Sequence, residues 1–177
     1  NPWDEQAAVS RREGCELFNR GLFPAAAKTF RDVEVRVSGG QKPLYRAFAD
    51  LAEGYDLWER FHYRQAWEKL KTATKALEMA SLWGGPPGLK AVISPIKANA
   101  GFLEKLVLDP AEVKESLVLD LLACAGRRLH ARHDPETAMT ALVRALEASA
   151  QVRLYKSHKI KSWDVQPPQL PAALQEV

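Results

Sequence analysis

Apolar side chains recur along this chain every three or four residues, the spacing that lines one face of an α-helix. From Tyr63 the register is plainest: Tyr63, Ala66, Trp67, Leu70, Ala73, Leu77 and Ala80 fall on one face, and that face must bury. No stretch alternates apolar and polar residues for long enough to argue a half-buried strand. The periodicity predicts helices over 3–20, 24–37, 43–61, 63–81, 88–106, 111–131 and 135–157. The expected fold class is therefore all-α, an irregular helical bundle of about seven helices.

Proline and glycine punctuate the pattern. Asn1-Pro2, Asp109-Pro110 and Asp134-Pro135 each stand before a helical run, where a short polar side chain caps free amides and proline's missing donor is harmless. Glu112 sits where a capping-box acid reaches back toward Asp109. Ser38-Gly39-Gly40 and Gly84-Gly85-Pro86-Pro87-Gly88 break the helices between. Phe23, Ala26 and Phe30 repeat the spacing of Tyr63, Ala66 and Leu70, with Ala138 and Leu142 as a weaker echo. A small residue between two large ones lets a neighbouring helix come close, the packing of tetratricopeptide-like hairpins, although separations of about 40 and 70 residues are not a regular tandem period. Two stripes mark 135–157: Ala138, Leu142, Ala145 and Val152 form one, and Met139, Val143, Leu146, Ala150 and Leu154 the other. That helix is expected to be central and buried on two sides. One helical domain over 1–157 is expected, with a weaker division near 84–88 and an extended tail over 158–177. The start at Asn1, without Met, leads us to expect that a preceding segment exists.

Composition narrows the class. With 46% hydrophobic and 27% charged residues, 177 residues suffice for a buried core. Cys15 and Cys124 lie far apart, so no disulfide framework or zinc knuckle is written, and a reducing cytoplasm is expected. No apolar run approaches the ~20 residues of a membrane span, and no membrane partner is expected. A net charge of +3 permits nucleic-acid binding only where basic residues cluster.

The segment LVLDLLACAGRRLHARHDPETAMTALVRALEASAQ, from Leu117 to Gln151, followed by WDVQPPQLP from Trp163, resembles a family of CRISPR-associated proteins that place a CARF domain before a helical domain. LFNRGLFPAAAKTF from Leu17 and YDLWERFHYRQAWEKL from Tyr55 look like the same family, so the likeness runs over most of the chain, without the CARF part. The family pattern carries Asn where Cys124 stands and Tyr where His133 stands. The resemblance implies a prokaryotic cytoplasmic protein of type III CRISPR defence, a homodimer, and a cyclic oligoadenylate read by the absent CARF domain. Many relatives carry a helical HEPN ribonuclease, whose mark is Arg followed after four to six residues by His. Arg128 to His133 fits with four residues between, and Arg127 to His133 with five.

Such chemistry needs no metal or other cofactor: a His moves the proton in 2′-hydroxyl attack and an Arg steadies the phosphate charge. Arg153 to His158 fits the same spacing, so the pattern alone is weak. In the plainer alternative His133 only opens a turn and Arg128 is a cation favoured at a helix C-terminus. His130, His133 and Asp134 fall short of the four ligands usual in a structural metal site, and no metal is assigned. Arg132, Arg153, Lys156, His158 and Lys161, interleaved with Tyr155 and Trp163, are candidates to hold single-stranded RNA, against the reading of a solvated helix end. Asp120 and Arg144 interrupt apolar runs and are expected to form a buried structural pair. No glycine-rich phosphate loop or nucleophile elbow points to another enzyme class. The competing function is a non-catalytic helical scaffold.

Overall fold

In a computed structural model, which describes residues 2–83, 85–108 and 114–174, the protein is all-α. Among the described residues seven α-helices follow in order: α1 (Pro2–Asn19), α2 (Phe23–Arg36), α3 (Lys42–Glu59), α4 (Tyr63–Leu82), α5 (Leu89–Leu108), α6 (Glu115–His130) and α7 (Pro135–His158). Two short 3-10 turns, Pro167–Gln169 and Ala172–Leu174, lie among the described residues of the tail, and a bridge joins Lys161 to Asp164. The predicted bounds stand within a few residues of these. The expected starts at Asn1 and Asp109-Pro110, with Glu112, lie outside the described residues.

The chain forms two compact units, Asn1–Leu108 and Asp109–Val177. The division falls after α5, whereas the Gly-Pro segment at 84–88 lies inside the first unit, because α5 packs on α4 across it.

In the first unit each helix packs chiefly on its chain neighbours, α1 on α2 and so on to α5. Two hairpins, α1–α2 and α3–α4, repeat the same device with a shift of 40 positions, from Phe23 to Tyr63. Each ends its first helix in a residue of left-handed backbone, Gly21 at φ 73° and Phe61 at φ 64°. The next residue, Leu22 or His62, donates its N–H to Leu17 or Leu57 at 2.9 Å in both. Its own carbonyl then accepts from Ala26 or Ala66 to begin the second helix. Neither Leu22 nor His62 caps with its side chain, so the backbone turn itself starts these helices.

Close approach explains the small residues. A Cβ on Gly14 would stand 2.6 Å from the Phe30 ring, and one on Gly54 would overlap Leu70 Cδ1. Ala26 and Ala66 are wholly buried beside them. Thus Gly–Phe30 and Gly–Leu70 are the same contact in successive hairpins. An aromatic run ties the array: Phe23 stacks on Tyr55 at 5.6 Å, Tyr55 on Trp58 at 5.9 Å, and Trp58 on Phe102 of α5 at 5.8 Å. On the outer side Arg31 of α2 meets Asp50 of α3 at 2.6 Å and Glu53 at 3.0 Å. Lys69 of α4 reaches the same two carboxylates. Partial burial pulls the Arg31 pKa down, but its bonds to Asp50 and Glu53 outweigh that and leave it raised.

Substituting Gly54→Val is therefore expected to cost about 1–3 kcal/mol by overpacking against Leu70. Urea unfolding checks this; a variant as stable as the wild type would refute the close-approach role.

Candidate functional site

The second unit is built on the hairpin of α6 and α7. Small residues make their seam: Ala138, Ala141, Ala145, Ala148 and Val152 are the buried face of α7, and Leu121, Cys124 and Ala125 are buried on α6. The second stripe of α7 is not buried. Met139 is 61% exposed, Val143 47% and Leu146 72%, and Leu119 of α6 is 66% exposed. The two-sided burial expected of α7 is thus corrected, because α6 alone packs extensively on it and a 3.6-residue period shows apolar faces without showing how many partners exist.

The joint between the helices carries the sequence-predicted pair. α6 ends with Ala131 donating to the Arg127 carbonyl at 3.0 Å and Asp134 donating to that of Arg128 at 2.9 Å. Of the two residues between, His133 lies in the left-handed region at φ 51°. Such a closure satisfies the last carbonyls of a helix. Asp134 then caps α7: its Oδ1 accepts from the Thr137 N–H at 3.1 Å, while its Oδ2 faces Arg128 at 3.4 Å. Asp134's bonds from Thr137, helped by the charge of Arg128, hold its carboxyl below the ordinary range. The Arg128 side chain is only 14% exposed, whereas His133 and Arg127 are open to solvent. Here an imidazole free to meet a substrate stands beside a guanidinium that already faces a carboxylate.

The remaining candidates separate along α7. Arg132 is half-buried in the turn, and Arg153, Lys156 and His158 are exposed at the far end. Lys156 pairs with Glu115 at the start of α6. Lys161 is half-buried beyond the helix, and Lys159 in left-handed backbone ends α7, its ammonium 5.4 Å from the Tyr155 ring. A helix of 24 residues puts about 34 Å between its ends, so the turn and the basic end are not one pocket. Asp120 is buried as expected, but Arg144 is exposed, because it lies outside the alanine seam of α7. The described residues hold no cluster of three metal-binding side chains.

Sequence reasoning missed the tie between Arg128 and Asp134. Its signal was present: a cap residue six positions after an Arg in the preceding helix's last turn. It also missed that Gly21, Phe61 and His133 hold the same left-handed position ahead of the second helix, each five residues before the buried alanine at Ala26, Ala66 or Ala138.

The model of the Csm6 6H domain matches residues 7–103, more than half of the chain and nearly the whole α1–α5 array. The chain belongs to the Csm6 6H domain family. No curated protein and no solved structure matches it. The Csm6-type match makes this a CRISPR-associated helical domain, and it ends before α6, so the Arg128–His133 turn lies outside the matched residues. No helix among the described residues of this Csm6 6H domain protein is long and apolar enough to cross a membrane.

Because the Asp134 carboxyl is held low, the stability it contributes is present above its unfolded pKa and lost as pH falls through the folded value. Asp134→Asn keeps a capping oxygen but not the charge. The melting-temperature difference between wild type and D134N is expected to be positive at neutral pH and to vanish in strong acid. A difference independent of pH would contradict the ionic role.

Proposed function

We propose that this protein is a helical effector of type III CRISPR defence whose α6–α7 turn cleaves single-stranded RNA without a metal. The Csm6-type match supports the defence role, and one observation supports the chemistry: the exposed imidazole of His133 follows directly on the basic last turn of α6, with Arg127 and Arg128. In this reading His133 takes the proton of a ribose 2′-hydroxyl as its oxygen attacks the phosphorus, the P–O5′ bond breaks, and the departing 5′-oxygen takes a proton from water, leaving a 2′,3′-cyclic phosphate. Arg128, with Arg127 beside it, steadies the charge that builds on the phosphate. Arg132 guides the strand near the turn, and Arg153, Lys156, His158 and Lys161 bind it farther along α7. A cyclic oligoadenylate held by a CARF domain outside this chain is the activating signal.

Two copies act together, each supplying a turn. The exposed apolar stripe of Met139, Val143 and Leu146 on α7 is the surface by which they associate.

A second reading, the non-catalytic scaffold, has its own support. His133 holds the left-handed position that Gly21 and Phe61 hold in hairpins without the motif, and Arg128 braces Asp134. The turn then needs no chemistry to account for its residues.

His133→Gly separates the readings, since glycine keeps the backbone and removes the imidazole. Incubated with single-stranded RNA in EDTA, the wild-type protein is expected to cleave, H133G to lose at least about a hundredfold, and His158→Ala to retain activity. Equal cleavage by H133G, or none by the wild type with cyclic oligoadenylate and its CARF domain present, leaves the scaffold. For the paired state, sedimentation of Leu146→Glu is expected to show monomer where the wild type shows dimer; a wild-type monomer refutes the surface.

A further inference from the structure

The outer face of α7 carries a register of its own. Met139, Val143, Leu146 and Ala150 are separated by four, three and four residues, the a and d spacing of a coiled-coil seam, and all four are exposed. This stripe lies on the side of the helix opposite Ala141, Ala145, Ala148 and Val152, the face buried against α6. At either end the seam passes from apolar to charged. Glu136 stands one heptad before Val143, Arg153 stands one heptad after Leu146, and both are exposed. The two ends of α7 are therefore unlike, with Glu136 in the first turn and Lys156 and His158 in the last.

We infer that two copies of this chain pair their α7 helices antiparallel along this stripe, so that the His133 turn of each copy is served by the basic end of the partner's α7. The chemistry rests on the cleavage reading above, and the pairing rests on charge. In a parallel pair Glu136 would meet the partner's Glu136 and Arg153 the partner's Arg153, like against like at both ends. Turned antiparallel, with Val143 level with the partner's Leu146 and Met139 level with the partner's Ala150, each Glu136 comes level with the partner's Arg153. An ion pair then closes each end of the seam, and the two helix dipoles run opposed. The same alignment sets His133 level with the partner's Lys156. Within one copy about 34 Å separates the turn from the basic end, and across the pair that separation closes. A strand held on Lys156, His158 and Lys161 of one copy thus reaches the imidazole of the other. The pair carries two sites, one at each end of the seam, and a single copy holds neither complete.

Cysteine pairs read the orientation without any cleavage assay. In the whole chain with exposed Cys15 removed as Cys15→Ser, a mixture of Glu136→Cys and Arg153→Cys oxidised with diamide is expected to give a disulfide-linked mixed dimer, while either variant alone stays uncross-linked. Glu136→Cys linked to itself would show a parallel pair, and no link in any combination an unpaired stripe; either result overturns the inference. A mixing assay reads the shared site. His133→Gly lacks the imidazole, and Lys156→Ala combined with Lys161→Ala lacks the basic end. About half of an equal mixture is mixed dimers, which alone unite an intact turn with an intact basic end, so RNA cleavage should reach about one quarter of wild type, above the average of the two proteins assayed singly. A mixture no better than that average overturns the shared site. Mixed-dimer cross-linking in a protein that never cleaves RNA would instead sink the cleavage reading and uphold the pairing.

Discussion

Each of the three hairpins turns on one residue held in left-handed backbone: Gly21, Phe61 and His133. That conformation is disfavoured for residues with a Cβ by roughly 1–2 kcal/mol, yet two of the three positions carry one. What holds them there is the packing on either side. In the first unit a glycine about two helical turns earlier lets the helices meet, and a large side chain of the next helix, Phe30 or Leu70, fills the contact. The third hairpin solves the same problem differently: its seam is alanine, its Leu142 is exposed, and Asp134 caps α7 with its side chain where Leu22 and His62 do not cap theirs.

Most of the fold was legible in the sequence because helix position is written locally. Periodicity located all seven helices, and the Phe–Ala–Phe and Tyr–Ala–Leu spacings pointed to repeated hairpins. What escaped was contact between distant residues. The division after Leu108 depends on which helix α5 packs against, and nothing within 84–108 states that. The exposed stripe of α7 has the same periodicity as its buried one, so pattern could not distinguish a covered face from an open one.

The candidate chemistry shows the same limit. The spacing of Arg128 and His133 was legible, but not that Arg128 faces Asp134, nor that the basic residues of the tail end of α7 stand a helix length away. A local motif therefore named the residues and left their availability to the tertiary structure. The family match covers nearly the whole α1–α5 array, while the turn rests on its own geometry.

The shared left-handed joint is tested most directly by hydrogen exchange on Gly21→Ala and His133→Gly. Placing a Cβ at Gly21 should speed exchange through α1 and α2, while removing one at His133 should slow it through α6 and α7, each by about 1 kcal/mol of opening free energy. Faster exchange in H133G, or no change in G21A, would contradict the account.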